Sequence, residues 1–184
     1  VAEFRDSNTG DHINRIAMYT TIIAIEFGLS NNQAQHYGQS ARLHDIGKVG
    51  IPDKVLLKPG KLNLQEFGLI KTHTQLGVDI LSGSDHYDVA SEVCQYHHER
   101  WDGKGYPIGL KGKEIPLIAR IVSVIDVFDA LINKRCYKEA WTIKSAIEEV
   151  KRGSGSQFDP DVVDIFLRLY NQGNFDSIIT LSKE

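Results

Sequence analysis

The stretch ARLHDIGKVGIPD, residues 41–53, sets His44 beside Asp45 where a helical pattern breaks into two glycines and a proline. A histidine and an aspartate side by side offer a divalent cation one nitrogen and two oxygens. Such a dipeptide is common, and by itself it decides nothing. Its weight comes from what else the chain supplies: His12, His73, the adjacent pair His97-His98, and Asp126. A single histidine in these places would read as a hydrogen-bonded core or surface residue. Here apolar neighbours flank such donors on five separate segments, so helical phase turns them inward together. Burying them all without a cation costs several kcal/mol each, and a shared metal site removes that cost. Adjacent histidines lie about 100° apart on a helix and reach one centre only near a helix end. The glycine-rich loop after His98 supplies that end.

Working outward, most segments have helical periodicity. DHINRIAMYTTIIAIEF (11–27) repeats apolar residues near a 3.6 period, and Gly28 follows as a stop. Ser30 with Gln33 forms a capping box opening a helix that runs toward His44. Asn63 with Glu66 starts another that carries the chain toward His73, and a helix from about Val89 ends near His97-His98. LIARIVSVIDVFDALIN (117–133) is a strong helix with Asp126 and Asp129 one turn apart. TIKSAIEEVKRG (142–153) and DPDVVDIFLRLY (159–170) follow, the latter capped by Asp159 with Pro160 in its first turn. SIITL (177–181) fits a short helix or an edge segment. No alternating run demands a sheet, so the class is all-α.

Composition narrows the function classes. The chain has 184 residues, suiting a single domain over 1–184, with 41% hydrophobic and 24% charged residues. A net charge of −3 gives no basic field for a long nucleic acid. Two cysteines, Cys94 and Cys136, without a CxxC exclude a disulfide framework and a thiolate zinc site. That usage fits a reducing cytosol, hence a cytoplasmic protein. Arg120 and Asp126 interrupt the longest apolar run, so no membrane contact is expected. The start at Val1 reads as a piece of a longer protein with a regulatory domain ahead of it.

Three motifs in order carry a resemblance. LHDIGKVGIPD (43–53), HHERWDGKGYP (97–107) and IPLIARIVSVIDVFDAL (115–131) followed by RCYK (135–138) resemble the signatures of the HD-GYP domain, a subgroup of the HD-domain metallophosphohydrolases. Gly105-Tyr106-Pro107 is the GYP triplet, and the match runs from about Arg5 to about Phe166. The resemblance implies a bundle of about seven helices with an inserted GYP loop. It implies hydrolysis of cyclic di-GMP to linear pGpG, or onward to GMP, or hydrolysis of 3′3′-cyclic GMP-AMP. His12, His44, Asp45 and Asp126 would hold one metal, and His73, His97 and His98 a second, with Asp45 bridging. Lys48 would contact the scissile phosphate, Tyr106 and Pro107 would line the base-binding side, and Arg135 and Lys138 would hold phosphates and guanine. A homodimer or a GGDEF-type partner is implied as well.

The chemistry agrees with the resemblance. Two divalent ions lower the pKa of a water between them, so that it is a hydroxide near neutral pH, and offset charge on the phosphorane-like transition state. A nitrogen-oxygen donor set suits Fe, Mn, Ni or Zn, and the resemblance favours iron, then manganese. Two positions depart from the family pattern. Asn8 stands where three-metal members carry Glu, so two metals are expected, with the linear dinucleotide as product. Cys136 replaces the usual Pro before Tyr137. Trp101 either stacks on a base or anchors its loop, and Asp129 either orients a ligand or Arg135 or is solvated. His36 and His86 read as surface residues. The competing readings are an HD nucleotidase, which the GYP segment disfavours, and a non-catalytic sensor or interaction module, which the intact ligand set disfavours.

Overall fold

The described residues, 10–133 and 140–181 of a computed structural model, form helices joined by turns, with no β-strand among them. The α-helices are α1 (Gly10–Glu26), α2 (Asn31–Ala41), α3 (Asp53–Leu56), α4 (Leu64–Lys71) and α5 (His73–Leu81). They continue with α6 (Asp88–Tyr96), α7 (Leu117–Ile132), α8 (Ile143–Gly153), α9 (Pro160–Asn171) and α10 (Asp176–Thr180). Their ends follow local chemistry. Past α1, Gly28 takes φ 92°, and Leu29 N–H donates to Ala24 O while Gly28 N–H donates to Ile25 O, which satisfies the last carbonyls. Both expected capping boxes form, Ser30 with Gln33 on α2 and Asn63 with Glu66 on α4. Asp159 accepts from Asp161 N–H at 2.9 Å and Pro160 opens α9.

α7 is the centre of the bundle because its sequence is apolar nearly all round. Ile118, Ile121, Val122, Val124, Ile125 and Phe128 are fully buried, and α7 packs on α1, α2, α6, α8 and α9. Phe128 meets Tyr19 of α1 and Phe166 of α9 edge-on, with ring centroids 6.1 and 4.9 Å apart. Such aromatic pairs add about 0.5–1.5 kcal/mol each beyond their buried area. At the start of α7, Arg120 donates to Asp159 Oδ2 at 2.6 Å, fixing α7 against the cap of α9. The donors at 12 and 126 therefore sit on two helices locked face to face.

The structure is finer-grained than the periodicity. The segment from Asn63 to Leu81 is divided at Thr72, so that His73 opens α5 instead of ending a helix. α2 stops at Ala41, and His44 lies in the turn beyond it. The expected break after Asp45 is a 3-10 turn, Ile46–Gly50, followed by the short α3. SIITL belongs to a helix, α10.

One crossing brings these pieces together. The 3-10 turn runs against α5 with Gly47 at the contact, where a Cβ would collide with the His73 carbonyl and lie 2.5 Å from Gly77 N. Glycine at 47 thus sets the approach of His73 to Asp45. Gly47→Ala is expected to cost about 1–3 kcal/mol through overpacking, a fall of roughly 2–12 °C in Tm for a chain of this size. Thermal unfolding followed by circular dichroism reads it, and an unchanged Tm would show that the crossing is not tight.

Candidate metal centre

Five histidines from four parts of the fold turn their rings to one place. Each of four anchors itself through Nδ1. His44 Nδ1 is 2.9 Å from Ala41 O, His73 Nδ1 is 2.7 Å from Ile70 O, and His97 Nδ1 is 2.8 Å from Val93 O. His12 Nδ1 is 2.7 Å from Asp129 Oδ2. A carbonyl or an ionised carboxylate only accepts, so in each ring Nδ1 donates and Nε2 is the atom left to face inward. Nε2 of His12 and of His44 are buried with no hydrogen-bond partner, as is Asp45 Oδ1.

The donors fall into two sets, each with its ligand atoms within 4.8 Å of one another: His12, His44 and Asp126, and Asp45, His73, His97 and His98. Asp45 lies between the sets. Its Oδ2 is 3.3 Å from His44 Nε2, while its Oδ1 is 3.3 Å from His73 Nε2 and 3.6 Å from His97 Nε2. His12 Nε2 comes within 3.5 Å of Asp126 Oδ1. His73 Nε2 and His97 Nε2 stand 3.5 Å apart. Orphaned donors in this arrangement fit divalent cations and little else.

The electrostatics agree. Burial holds His73 down to about 4, against the pull of Asp45, so it stays in the neutral, metal-binding form. Burial and His97 hold His98 well below its usual range. Burial opposes charge on His44 too, but Asp45 prevails and lifts it to about 9, a proton that a cation would displace. Asp45 is kept well below the usual carboxylate range by Lys48 and His44 despite its burial. Lys48 Nζ lies 2.8 Å from Asp45 Oδ2, one turn along the chain.

Two supporting groups are less visible in the sequence. Asp129, weighed between orienting a ligand and facing solvent, is 1% exposed and accepts from Arg15 Nε at 2.7 Å as well as from His12. Arg15 sits one turn after His12 on α1, and a buried arginine in an apolar stripe is the signal that could have revealed it. Asp129→Asn is expected to weaken metal binding about 10–100-fold by loosening His12. A metal titration by calorimetry measures this, and an unchanged affinity would leave Asp129 a packing residue.

The second group is Glu99, 3% exposed, whose carboxylate accepts from Ile108 and Gly109 N–H at 2.8 and 3.0 Å. It bends the GYP loop back over the centre. Gly105 allows this because a Cβ there would meet the backbone of Glu99 and Arg100. Tyr106 then stacks on His98, centroids 4.7 Å apart. The main chain at Trp101 ties the loop down, its backbone N–H donating to Gln157 O at 3.1 Å and its carbonyl accepting from Gly112 N–H.

A cavity of ≈ 310 Å³ opens beside His97, His98 and Asp126, walled by Tyr106, Phe67 and Lys71. Pro107 lies on an adjoining cavity. Arg135 and Lys138, expected on the substrate, lie outside the described residues, as do Asn8 and Cys136. His36 and His86 are exposed as expected. A wider groove of ≈ 670 Å³ along α1 and α2, lined by Met18, His36 and Arg42, holds none of the donors.

The HD domain family matches residues 2–162, and the chain belongs to that family. It is 46% identical over 168 residues to a cyclic di-GMP phosphodiesterase response regulator of Xanthomonas campestris, which covers 90% of this chain and 44% of the relative. It is 42% identical to a 3′3′-cGAMP-specific phosphodiesterase of Vibrio cholerae (92% of this chain, 33% of the relative). A cyclic di-GMP phosphodiesterase of Thermotoga maritima is 44% identical (92% and 46%). The chain thus spans less than half the length of these relatives. In fold it resembles the crystal structure of a cyclic GMP-AMP-specific phosphodiesterase of V. cholerae, with TM-score 0.67 and 22% identity over 96% of this chain and 50% of that one. It also resembles an HD-GYP protein of Bdellovibrio bacteriovorus, with TM-score 0.66 and 21% identity over 90% and 54%.

Proposed function

We propose that this chain is a metal-dependent phosphodiesterase that opens a cyclic dinucleotide, cyclic di-GMP or 3′3′-cyclic GMP-AMP, to its linear form. The observation that carries this reading is the convergence of two buried donor sets on Asp45 beside a cavity walled by Tyr106. The names of the relatives support the substrate class. In this reading His12, His44 and Asp126 hold one ion, His73, His97 and His98 hold the other, and Asp45 serves both. The nitrogen-oxygen set suits iron, manganese, nickel or zinc, and the family resemblance favours iron or manganese. Bound there, the ions supply Lewis acidity and a water of lowered pKa.

The chain's own groups do the rest. Lys48 places an ammonium beside Asp45 for the scissile phosphate. Tyr106 offers its ring to a base, and Pro107 continues that wall. Arg135 and Lys138 complete the proposal as holders of phosphate and guanine. A cytoplasmic setting and a homodimer or GGDEF-type partner belong to the same reading. Among the described residues no helix is long and apolar enough to cross a membrane.

The test is incubation of the purified chain, loaded with Fe²⁺ or Mn²⁺, with each cyclic dinucleotide, products being resolved by chromatography. Linear dinucleotide should accumulate from at least one of them. Inactivity on both, with metal occupancy confirmed, would leave only a sensor or interaction role.

A further inference from the structure

The cavity beside the metal donors, at ≈ 310 Å³, stands at the low end of the roughly 300–1,000 Å³ of small-ligand sites. A substrate of two nucleotides closed into a ring by two phosphates needs more room. A second cavity of ≈ 520 Å³ adjoins it, lined by Thr72, Gln75, Leu76 and Pro107. Lys71, Gly105 and Tyr106 wall both. The second cavity has no carboxylate in its lining: hydroxyl, amide and apolar groups surround a single cation, Lys71.

Lys71 is held in an unusual way for a cation. Its Nζ lies 4.8 Å from the Phe67 ring centroid and 5.0 Å from that of Tyr106. Among the described residues no carboxylate pairs with it. Cation–π contacts are worth about 0.5–2 kcal/mol and leave the charge in place. Arg100 and Glu99 on the same cavity wall are already engaged. Arg100 is bidentate to Asp102 at 3.0 and 2.9 Å, and Glu99 is taken by loop N–H groups. Lys71 is therefore an uncompensated positive charge held at the doorway between the two spaces.

We infer that the cavity across Tyr106 from the metal donors seats the second nucleotide of the substrate, and that Lys71 holds the phosphate that is not being cleaved. The inference rests on the proposed function and adds a second point of recognition to it. One phosphodiester lies at Asp45 and the other at Lys71, with the Tyr106 ring between the two nucleotides.

The test compares steady-state kinetics of the metal-loaded wild type, Lys71→Met, Lys71→Arg and Gln75→Trp. The substrates are cyclic di-GMP, 3′3′-cyclic GMP-AMP, and bis(4-nitrophenyl) phosphate, which has one phosphodiester and no second phosphate. Circular dichroism confirms folding. Lys71→Met should raise KM for the cyclic dinucleotide about tenfold or more, as loss of a charged hydrogen bond does, with a much smaller change in kcat. The loss on the small diester should be several-fold smaller, and Lys71→Arg should recover most of the affinity. Gln75→Trp, an exposed helix position that narrows the second cavity, should raise the same KM. Equal losses on both kinds of substrate, or an unchanged KM in Lys71→Met with an active wild type, would overturn this inference alone. A wild type that cleaves the small diester but neither cyclic dinucleotide would overturn it together with the function it rests on.

Discussion

Asp45→Ala should lose both metal ions together and at least about 10³-fold in turnover. Among the described residues Asp45 alone reaches both donor sets, one oxygen toward His44 and the other toward His73 and His97. Removing it leaves His12, His44 and Asp126 on one side and three imidazoles on the other, and takes away the carboxylate 2.8 Å from Lys48 Nζ. The secondary structure should survive, because Asp45 lies in a turn and closes no core contact of α1 or α7. Asp45→Asn serves as the shape-preserving control and should show the same pairwise loss. A variant that retained metal on one set and lost it on the other would mean that Asp45 belongs to one site only.

Chelation of the metal-loaded chain should lower Tm by roughly 10–20 °C. Free metal at a hundred times Kd stabilises a folded site by about 2.7 kcal/mol, and two sites give about 5 kcal/mol. For a chain of this length each kcal/mol is worth about 2–4 °C. The physical source is visible in the geometry. Without cations, five imidazoles and two carboxylates crowd their ligand atoms together, and three of their buried atoms have no partner. Differential scanning calorimetry before and after chelation measures the shift. A change below about 2 °C at saturating metal would mean that the donors do not bind cations in the folded state.

Much of this centre was legible in the sequence because its donors lie in long, ordered motifs. The helix ends at Gly28, Ser30, Asn63 and Asp159 were legible too, since caps are local chemistry. What was hidden is what tertiary packing decides. The helix from Asn63 toward His73 was legible, but no Gly or Pro announces that a second helix opens at His73 itself. Arg15 and Glu99 carry charges that composition assigns to a solvated face. Only the folded chain turns Arg15 onto Asp129 and closes the loop N–H groups on Glu99. Nothing in the sequence singles out Lys71, because Phe67 and Tyr106, which meet around it, lie in segments nearly forty residues apart.

The most direct test of the metal centre is elemental analysis of the purified wild-type chain after anaerobic loading with Fe²⁺ or Mn²⁺ and removal of free metal. About two ions per chain are expected, one for each donor set, with Asn8 providing no carboxylate for a third. A content near zero at saturating metal, or a single ion that Asp45→Ala leaves in place, would contradict the binuclear centre on which the proposed activity depends.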